Sequence, residues 1–393
     1  MTVATSIGMD VKSYQRSWFA HLHGSCGNML SHTMDKMTSA TEGLSNPHST
    51  PVRVETFDDP RPDRWDAFLD EHPGGSFYHL HGWQSINQSH FGHETFYLIA
   101  KRGELTQGVL PLVLLRSRLF GRILCSLPFV NYGGAVAVDA ETERCLIEEA
   151  IAISQRVRAD YLEVRSPHTL AMDLPVARHK VSMTLHLDAD PETVWKGFAS
   201  KHRTNIRRVY KHGVVVQAGG AELLGEFYQV ISEAWRSMGT PIYHRRYFQE
   251  IISHYPNRTR IFVCRQENRP IAVAFNGEFN KVVEGLWLGS RPEARHLQAS
   301  YVLYWEMIKD ACERGLSRFH LGRSTTESGG ESFKRKWNAE SRPLHWYYYM
   351  PQGGHIPQLN VNNPKYRLAI STWRRLPLWV TTLIGPWIAR SIP

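Results

Sequence analysis

Lys334 and Arg323 mark the stretch of this chain best suited to group-transfer chemistry. It reads Leu321-Gly322-Arg323-Ser324, then Gly329-Gly330-Glu331-Ser332-Phe333-Lys334-Arg335-Lys336-Trp337. The pattern is that of a strand end, a glycine-bearing loop and a short basic helix. Phe333 and Trp337 are four apart, so a helix buries both on one face and turns Lys334 about 100° away from them. A lysine in the first helical turn lies beside backbone N–H groups that have no intrahelical partner. That setting favours an anion or a developing oxyanion. Acyl or phosphoryl transfer would use it; the same spacing also describes an exposed basic helix docked through two aromatics.

Further polar groups could serve such a site. Arg203, Arg207 and Lys211 recur every four residues and form one helical stripe, with Ile206 and Val209 holding the helix down on another side. Arginine forks bind phosphate oxygens bidentately, so the stripe suits a string of phosphates, although a solvated face has the same pattern. Asn131-Tyr132-Gly133-Gly134 reads either as a turn or as a loop whose glycines let backbone approach a ligand. Glu278 and Glu284 fall in expected strands, and Glu284 is the candidate general base. His21, His23 and Cys26, like His79, His81, His90 and His93, lack the further ligands of a closed metal site, so no metal is expected. The sequence holds no Gly-x-Ser-x-Gly elbow and no Walker loop.

The elements that must position these residues repeat. A strand at 52–57 leads through Asp59-Pro60 to a helix with Trp65 and Phe68; a strand at 181–187 leads through Asp190-Pro191 to one with Trp195 and Phe198. Each half then reads hairpin (96–100 with 108–115; 261–265 with 271–279), strand (123–127; 282–288), long helix (141–158; 299–314) and strand (161–165; 317–321). One shared order points to a diverged tandem duplication. Helices at 221–238 and 245–254 are expected as additions to the second half.

Composition bounds the rest. A chain of 393 residues with 42% hydrophobic residues supports two or three domains with real cores. Five scattered cysteines suggest neither a disulfide framework nor a zinc knuckle. Asp10, Lys12 and Arg16 interrupt every apolar run near the N-terminus, so a cytoplasmic location is expected. A net charge of +9 favours polyanionic partners: phosphorylated molecules, nucleic acid or an acidic membrane surface. Residues 1–50 read as a disordered tail. The C-terminal run from Leu376 to Ala389 is apolar but broken by Pro377 and Pro386, and is shorter than a bilayer span. With Trp373, Trp379 and Trp387 beside Arg374, Arg375 and Arg390, it reads either as an interfacial anchor on the inner membrane face or as a tail packed back on the protein.

Residues 195–213, Gly239-Thr240-Pro241-Ile242-Tyr243, the long helix from Ala299 and the Arg323-Ser324…Phe333-Lys334…Trp337 signature together resemble the FemAB-related family, in particular its branch associated with PEP-CTERM and exosortase exopolysaccharide systems. The likeness covers about residues 52–350. It implies an α/β protein (α+β type) of two tandem GNAT-like domains with mixed sheets, at 51–180 and 181–350, between the tail 1–50 and a basic, aromatic tail 351–393. The best understood members transfer amino acids from aminoacyl-tRNA to peptidoglycan precursors. By that resemblance the chain is expected to be an acyl- or aminoacyltransferase acting directly on a peptidoglycan or exopolysaccharide building block, phosphorylated or lipid-linked. Lys334 and Glu284 would be catalytic; Arg203, Arg207, Lys211, Asn131, Tyr132, Arg323, Ser324 and Phe333 would bind substrate. The alternative is a non-catalytic module that binds polysaccharide or a lipid carrier. No permanently bound cofactor is implied, and the donor is open between aminoacyl-tRNA and an acyl thioester. Where a coenzyme A user has a glycine-rich pyrophosphate loop, this chain has Ser290-Arg291-Pro292-Glu293-Ala294-Arg295-His296-Leu297, which lowers the expectation of acetyl-CoA. The antiparallel arm of the tRNA-dependent enzymes is also missing from the pattern.

Overall fold

The structure, a computed structural model, describes residues 50–58, 63–117, 120–356 and 364–392. Residues 1–49, with the His21, His23 and Cys26 spacing, lie outside the described residues, as do Asp59 and Pro60. The first half runs β1 (Arg53–Thr56), α1 (Asp63–Glu71), α2 (Gly82–Phe91), β2 (Glu94–Arg102), β3 (Leu105–Ser117), β4 (Gly121–Cys125), β5 (Val136–Ala137), α3 (Ala140–Arg156) and β6 (Tyr161–Ser166). Strand β7 (Val176–His186) closes the first half, and the second runs α4 (Pro191–Gly197), α5 (Ser200–Tyr210), β8 (Val214–Gly219), α6 (Leu224–Met238), α7 (Arg245–His254), β9 (Thr259–Gln266), β10 (Arg269–Phe279), β11 (Val282–Ser290), α8 (Ser300–Glu313), β12 (Arg318–Thr325), α9 (Gly329–Arg335) and β13 (Glu340–Tyr349). Two tail helices follow, α10 (Pro364–Arg375) and α11 (Leu378–Ala389).

One continuous sheet joins the halves, in the order β1-β2-β3-β4-β6-β13-β7-β12-β11-β10-β9-β8, with β5 paired to β3. The order is a palindrome. β4 with β6 and β11 with β12 are parallel pairs at matching places, and β7 with β13 is the antiparallel pair at the centre. The palindrome matches β7 to β13; β7 lies against β12 of the second half and β13 against β6 of the first, so the halves exchange their final strands, and a boundary after residue 180 would cut β7.

The palindrome confirms the duplication and corrects its alignment. The strand at 181–187 is no counterpart of the one at 52–57: it belongs to central β7, whereas edge strand β1 is matched by edge strand β8. Helices α6 and α7 lie between β8 and β9 as α1 and α2 lie between β1 and β2, so they are not additions; α4 and α5 are. The two segments read alike because each places an Asp-Pro pair between an apolar run and a Trp- and Phe-bearing helix. An N-cap carboxylate followed by a proline at the first helical position is a local signal that carries no topology.

The tail helices cover α6. That helix buries Leu224, Phe227, Val230, Ile231 and Ala234 at spacings of three and four, and ends at Gly239 with φ +81°. A Cβ on Gly239 would lie 2.5 Å from the Ile370 side chain of α10. Gly385 of α11 sits against the Ile242 backbone, where an added Cβ would be 3.1 Å from the carbonyl oxygen. Trp373 is 8% exposed. The tail is therefore packed on the protein, and truncation after Tyr366 would uncover core. Trp373→Ala should cost about 3–5 kcal/mol of unfolding free energy in a denaturant titration, whereas Trp379→Ala, at a side chain that is 69% exposed, should change it by less than about 0.5 kcal/mol.

Candidate active site

The parallel strands β11 and β12 pair only where Val282–Glu284 face Arg318–His320. Beyond that, β11 follows β10 and β12 follows β7, so the two strands diverge. A cavity of about 410 Å³ opens in the wedge, between Gly285–Leu288 on one strand and Leu321–Arg323 on the other. Tyr304 of α8, Thr240 and Pro241 after α6, Asn131, Lys334 and Ala389 of α11 are also part of its wall. The matching wedge of the first half is filled by its own loop. Ser126 N–H donates to the Glu163 carbonyl (2.9 Å) and Gly133 N–H to that of Arg165 (3.1 Å). A Cβ on Gly134 would lie 3.1 Å from the Arg165 oxygen. Gly133 and Gly134 thus let backbone approach backbone rather than a ligand, while Asn131 reaches the open wedge.

Lys334 occupies the last turn of α9, not its first. Ser328 caps this helix by accepting from Glu331 N–H (3.3 Å), and the Glu331 carboxylate reaches back to the N–H of Glu327 (2.6 Å). This variant of the capping box fixes the start six residues before Lys334, so the free N–H groups expected beside the lysine lie at the other end. Phe333 and Trp337 do anchor the helix: Phe333 meets Tyr301 and Tyr304 with ring centroids 5.3 and 5.5 Å apart, and Trp337 is fully buried. Lys334 Nζ donates to the carbonyls of Gly322 and Arg323, each at 2.9 Å. Those carbonyls turn inward because β12 shifts register between His320 and Arg323, with Gly322 at φ +78°. A Cβ on Gly322 would sit 3.1 Å from the Gly285 carbonyl and 3.6 Å from Lys334 Nζ. Burial, with the charge of Arg323 adding, pulls the lysine's pKa down to about 8.

The cavity's electrostatics are one-sided. Arg323 lies half-buried over the ring of Trp346 (5.4 Å) and donates weakly to the Val130 carbonyl (3.4 Å). Burial and the neighbouring Arg165 hold its pKa down at about 10. Arg165 shares the same tryptophan (4.5 Å) and carbonyl (3.3 Å), and takes the nearby carboxylate, Glu163, through its Nε at 2.7 Å. Among the described residues no acidic side chain lines the wedge cavity. Two cations, Arg323 and Lys334, therefore face it without a countercharge on its wall.

Glu284 lies elsewhere. It lines a second cavity of about 230 Å³ with Tyr132, His320, Arg318 and Arg342. The carboxylate is 1% exposed; its Oε1 accepts from the Tyr132 hydroxyl and lies 2.8 Å from His320 Nδ1, while Oε2 is buried with no hydrogen-bond partner among the described residues. Burial and the Glu284 charge push the phenols of Tyr132 and Tyr78 far up, so both remain protonated donors. Tyr78 in turn accepts from Asn131 Nδ2 (2.6 Å). The Tyr78 ring meets that of Tyr132 edge-on with centroids 5.1 Å apart, so packed side chains lead from the wall of one cavity to the wall of the other. The two expected catalytic residues, Lys334 and Glu284, do not share a cavity.

The basic stripe is not part of the wedge. Arg203 donates to the carbonyls of Lys196 and Phe198 at the end of α4, Arg207 stacks on Trp195 (5.3 Å) and Lys211 is exposed beyond α5. Ser324 is buried at the pairing of β12 with β7, and Phe333 packs inward, so neither faces the wedge. Glu278 is paired with Arg314. His79 serves the core, bonded to Ser76 Oγ (2.7 Å) and 3.0 Å from the Gly134 carbonyl oxygen. Sequence reading missed Tyr78, Arg165 and His320, which no local motif marks. Only the Ser328-x-x-Glu331 cap was legible and overlooked.

This wedge between parallel strands of a duplicated mixed sheet defines the class. Residues 197–335 match the family described as an acetyltransferase (GNAT) domain. No curated protein matches the sequence. Among solved structures, FemX is similar with 15% identity and a TM-score of 0.58, over 81% of this chain and 100% of FemX. The C-terminal domain assigned to a lysylphosphatidylglycerol synthetase of Agrobacterium fabrum has 14% identity and a TM-score of 0.52, over 74% of this chain and 91% of that domain. L-PGS from Bacillus licheniformis has 15% identity and a TM-score of 0.50, over 83% and 98%. The chain has the tandem GNAT-like fold.

The one-sided cavity predicts an anion effect. Lys334 drops from a pKa of 10.5 to about 8 on folding, so below about pH 8 the folded protein carries the full cost of a buried charge, and that cost is relieved as the pH rises toward 10.5. Pyrophosphate should therefore raise the melting temperature more at pH 7 than at pH 9.5. Lys334→Met should remove the difference between the two pH values; an unchanged difference in that variant would place the anion elsewhere.

Proposed function

We propose that the chain transfers an aminoacyl or acyl group to an amine or hydroxyl of a cell-envelope precursor, with the reaction in the wedge between β11 and β12. The carrying observation is the pair of half-buried cations, Arg323 and Lys334, on a wall with no acidic side chain among the described residues. Such a wall suits a phosphate of the substrate and the negative oxygen that forms when a nucleophile adds to an acyl carbonyl. Two carbonyls hold Lys334, leaving its third N–H for that oxygen. The likeness to FemX, and to domains whose name places a lysyl group on phosphatidylglycerol, supports this class of reaction.

The step needs no covalent enzyme intermediate. The acceptor nitrogen or oxygen forms a bond to the acyl carbon, the carbonyl electrons move onto the oxygen beside Lys334, and the bond to the donor's leaving atom then breaks. The acceptor's proton passes to that leaving atom, because the wedge wall offers no carboxylate. Glu284 acts as a positioning residue: it fixes Tyr132, whose ring packs edge-on against Tyr78, the hydrogen-bond partner of the Asn131 side chain. In place of a glycine-rich pyrophosphate loop, the segment Pro292–Leu297 forms a 3₁₀ turn. The N–H groups of Ala294 and Gln298 donate to their own chain. That favours an aminoacyl ester over a coenzyme A thioester as donor.

Lys334→Ala should keep the fold and lower kcat by about 10² to 10³-fold. Wild-type kcat should fall as the pH rises through about 8, where Lys334 loses its charge. Turnover on labelled aminoacyl-tRNA or acyl thioester with envelope precursors tests both, and near-normal turnover by a folded variant would leave a binding module instead. Glu284→Gln should lower kcat/KM without moving the pH profile. Loss of an acidic limb in that variant would make Glu284 the base.

A further inference from the structure

The helix α11 is apolar on two opposite faces. One face, Thr381, Gly385 and Ala389, is buried against the protein. The other carries Trp379, Leu383 and Trp387 at successive helical turns, 69%, 65% and 68% exposed, with Ile384 beside them at 38%. Leu368 of α10 adds another outward side chain, 71% exposed. A ridge of this kind is costly in water and marks a contact surface.

Charge selects the occupant. From Ser341 to Pro393 the chain contains no Asp or Glu. Arg367, Arg374 and Arg375 of α10 and Arg390 at the end of α11 are all exposed, and the Arg390 guanidinium lies 4.9 Å over the ring of Trp387. A second copy of the chain would bring the same cations face to face with these. An anionic lipid surface meets both features, taking the apolar ridge among its acyl chains and the arginines among its phosphates. Tryptophans at both ends of the ridge have the amphipathic ring that settles at headgroup depth. The helix has 12 residues, which at 1.5 Å each is about 18 Å, against the roughly 30 Å of a bilayer core. No helix among the described residues is long and apolar enough to cross a membrane. Because its other face is already packed, α11 can only lie flat.

We infer that α11 is a membrane-surface helix that docks this protein on anionic lipid through Trp379, Leu383 and Trp387. The same helix gives Ala389, two residues from Trp387, to the wall of the wedge cavity. Docking therefore brings the paired cations Arg323 and Lys334 close to headgroup level, where a lipid-linked phosphate is concentrated near the cavity. That last consequence rests on the transfer reading; the docking itself does not.

Flotation with phosphatidylglycerol–phosphatidylcholine vesicles and with pure phosphatidylcholine tests the inference on the full chain. Wild type should float with the anionic vesicles, less so as salt rises, and remain largely unbound with the neutral ones. Trp379→Ser, Leu383→Ser and Trp387→Ser combined should weaken anionic binding by about tenfold or more at an unchanged melting temperature, since all three side chains are exposed. Lys334→Met should float like wild type, which separates docking from the reaction. Failure of wild type to bind anionic vesicles, or wild-type binding by the triple variant, would overturn the inference. So would a dimer in sedimentation velocity that the triple variant abolishes, because the ridge would then belong to a second copy.

Discussion

Two parallel strands that pair for only three residues set the rest of this structure. After Glu284 and His320, β11 and β12 follow different neighbours, and the sheet must either fill the gap or leave it open. A parted pair loses inter-strand hydrogen bonds, so each freed backbone group needs another partner. On the β12 side the register shift turns the Gly322 and Arg323 carbonyls toward the Lys334 ammonium, which satisfies both. The lysine thus completes the strand's hydrogen bonding and faces the cavity at once.

The first half met the same problem and solved it by closure. Its parallel pair parts after Cys125 and Glu163, but the loop from Ser126 to Gly134 fills the gap with backbone hydrogen bonds and two glycines. Duplication therefore left one open wedge and one filled one. The filled half still contributes, because its loop projects Asn131 to one cavity and Tyr132 to the other, and its Arg165 holds the Glu163 carboxylate.

The exchange of final strands makes this cooperation obligatory. With β13 against β6 and β7 against β12, neither half has a complete sheet alone. Residues of the first half, Asn131 and Val130, thereby sit within reach of Gly322 and Arg323 without any insertion.

Much of the fold was legible in the sequence: the hairpins, the long helices α3 and α8 and the duplication all show in periodicity, because buried faces impose spacings of two and of three to four on apolar residues. The Phe333/Trp337 anchor and the turning away of Lys334 were legible for the same reason, and the Ser328-x-x-Glu331 cap could have placed the lysine correctly in the helix. Other features depend on contacts between distant segments. The pairing of Tyr132 with Glu284 joins residues 152 positions apart, and the lack of an acidic side chain on the wedge wall among the described residues depends on where Glu163 points. Strand exchange, the filled first wedge and the packing of Gly385 on Ile242 are likewise invisible locally, since each is a relation between backbones far apart in sequence. By itself the sequence determined which elements form and which residue types are available for acyl chemistry. Only the tertiary structure decided that Lys334 and Arg323 face one cavity and Glu284 another, because burial and charge compensation belong to neighbours in space.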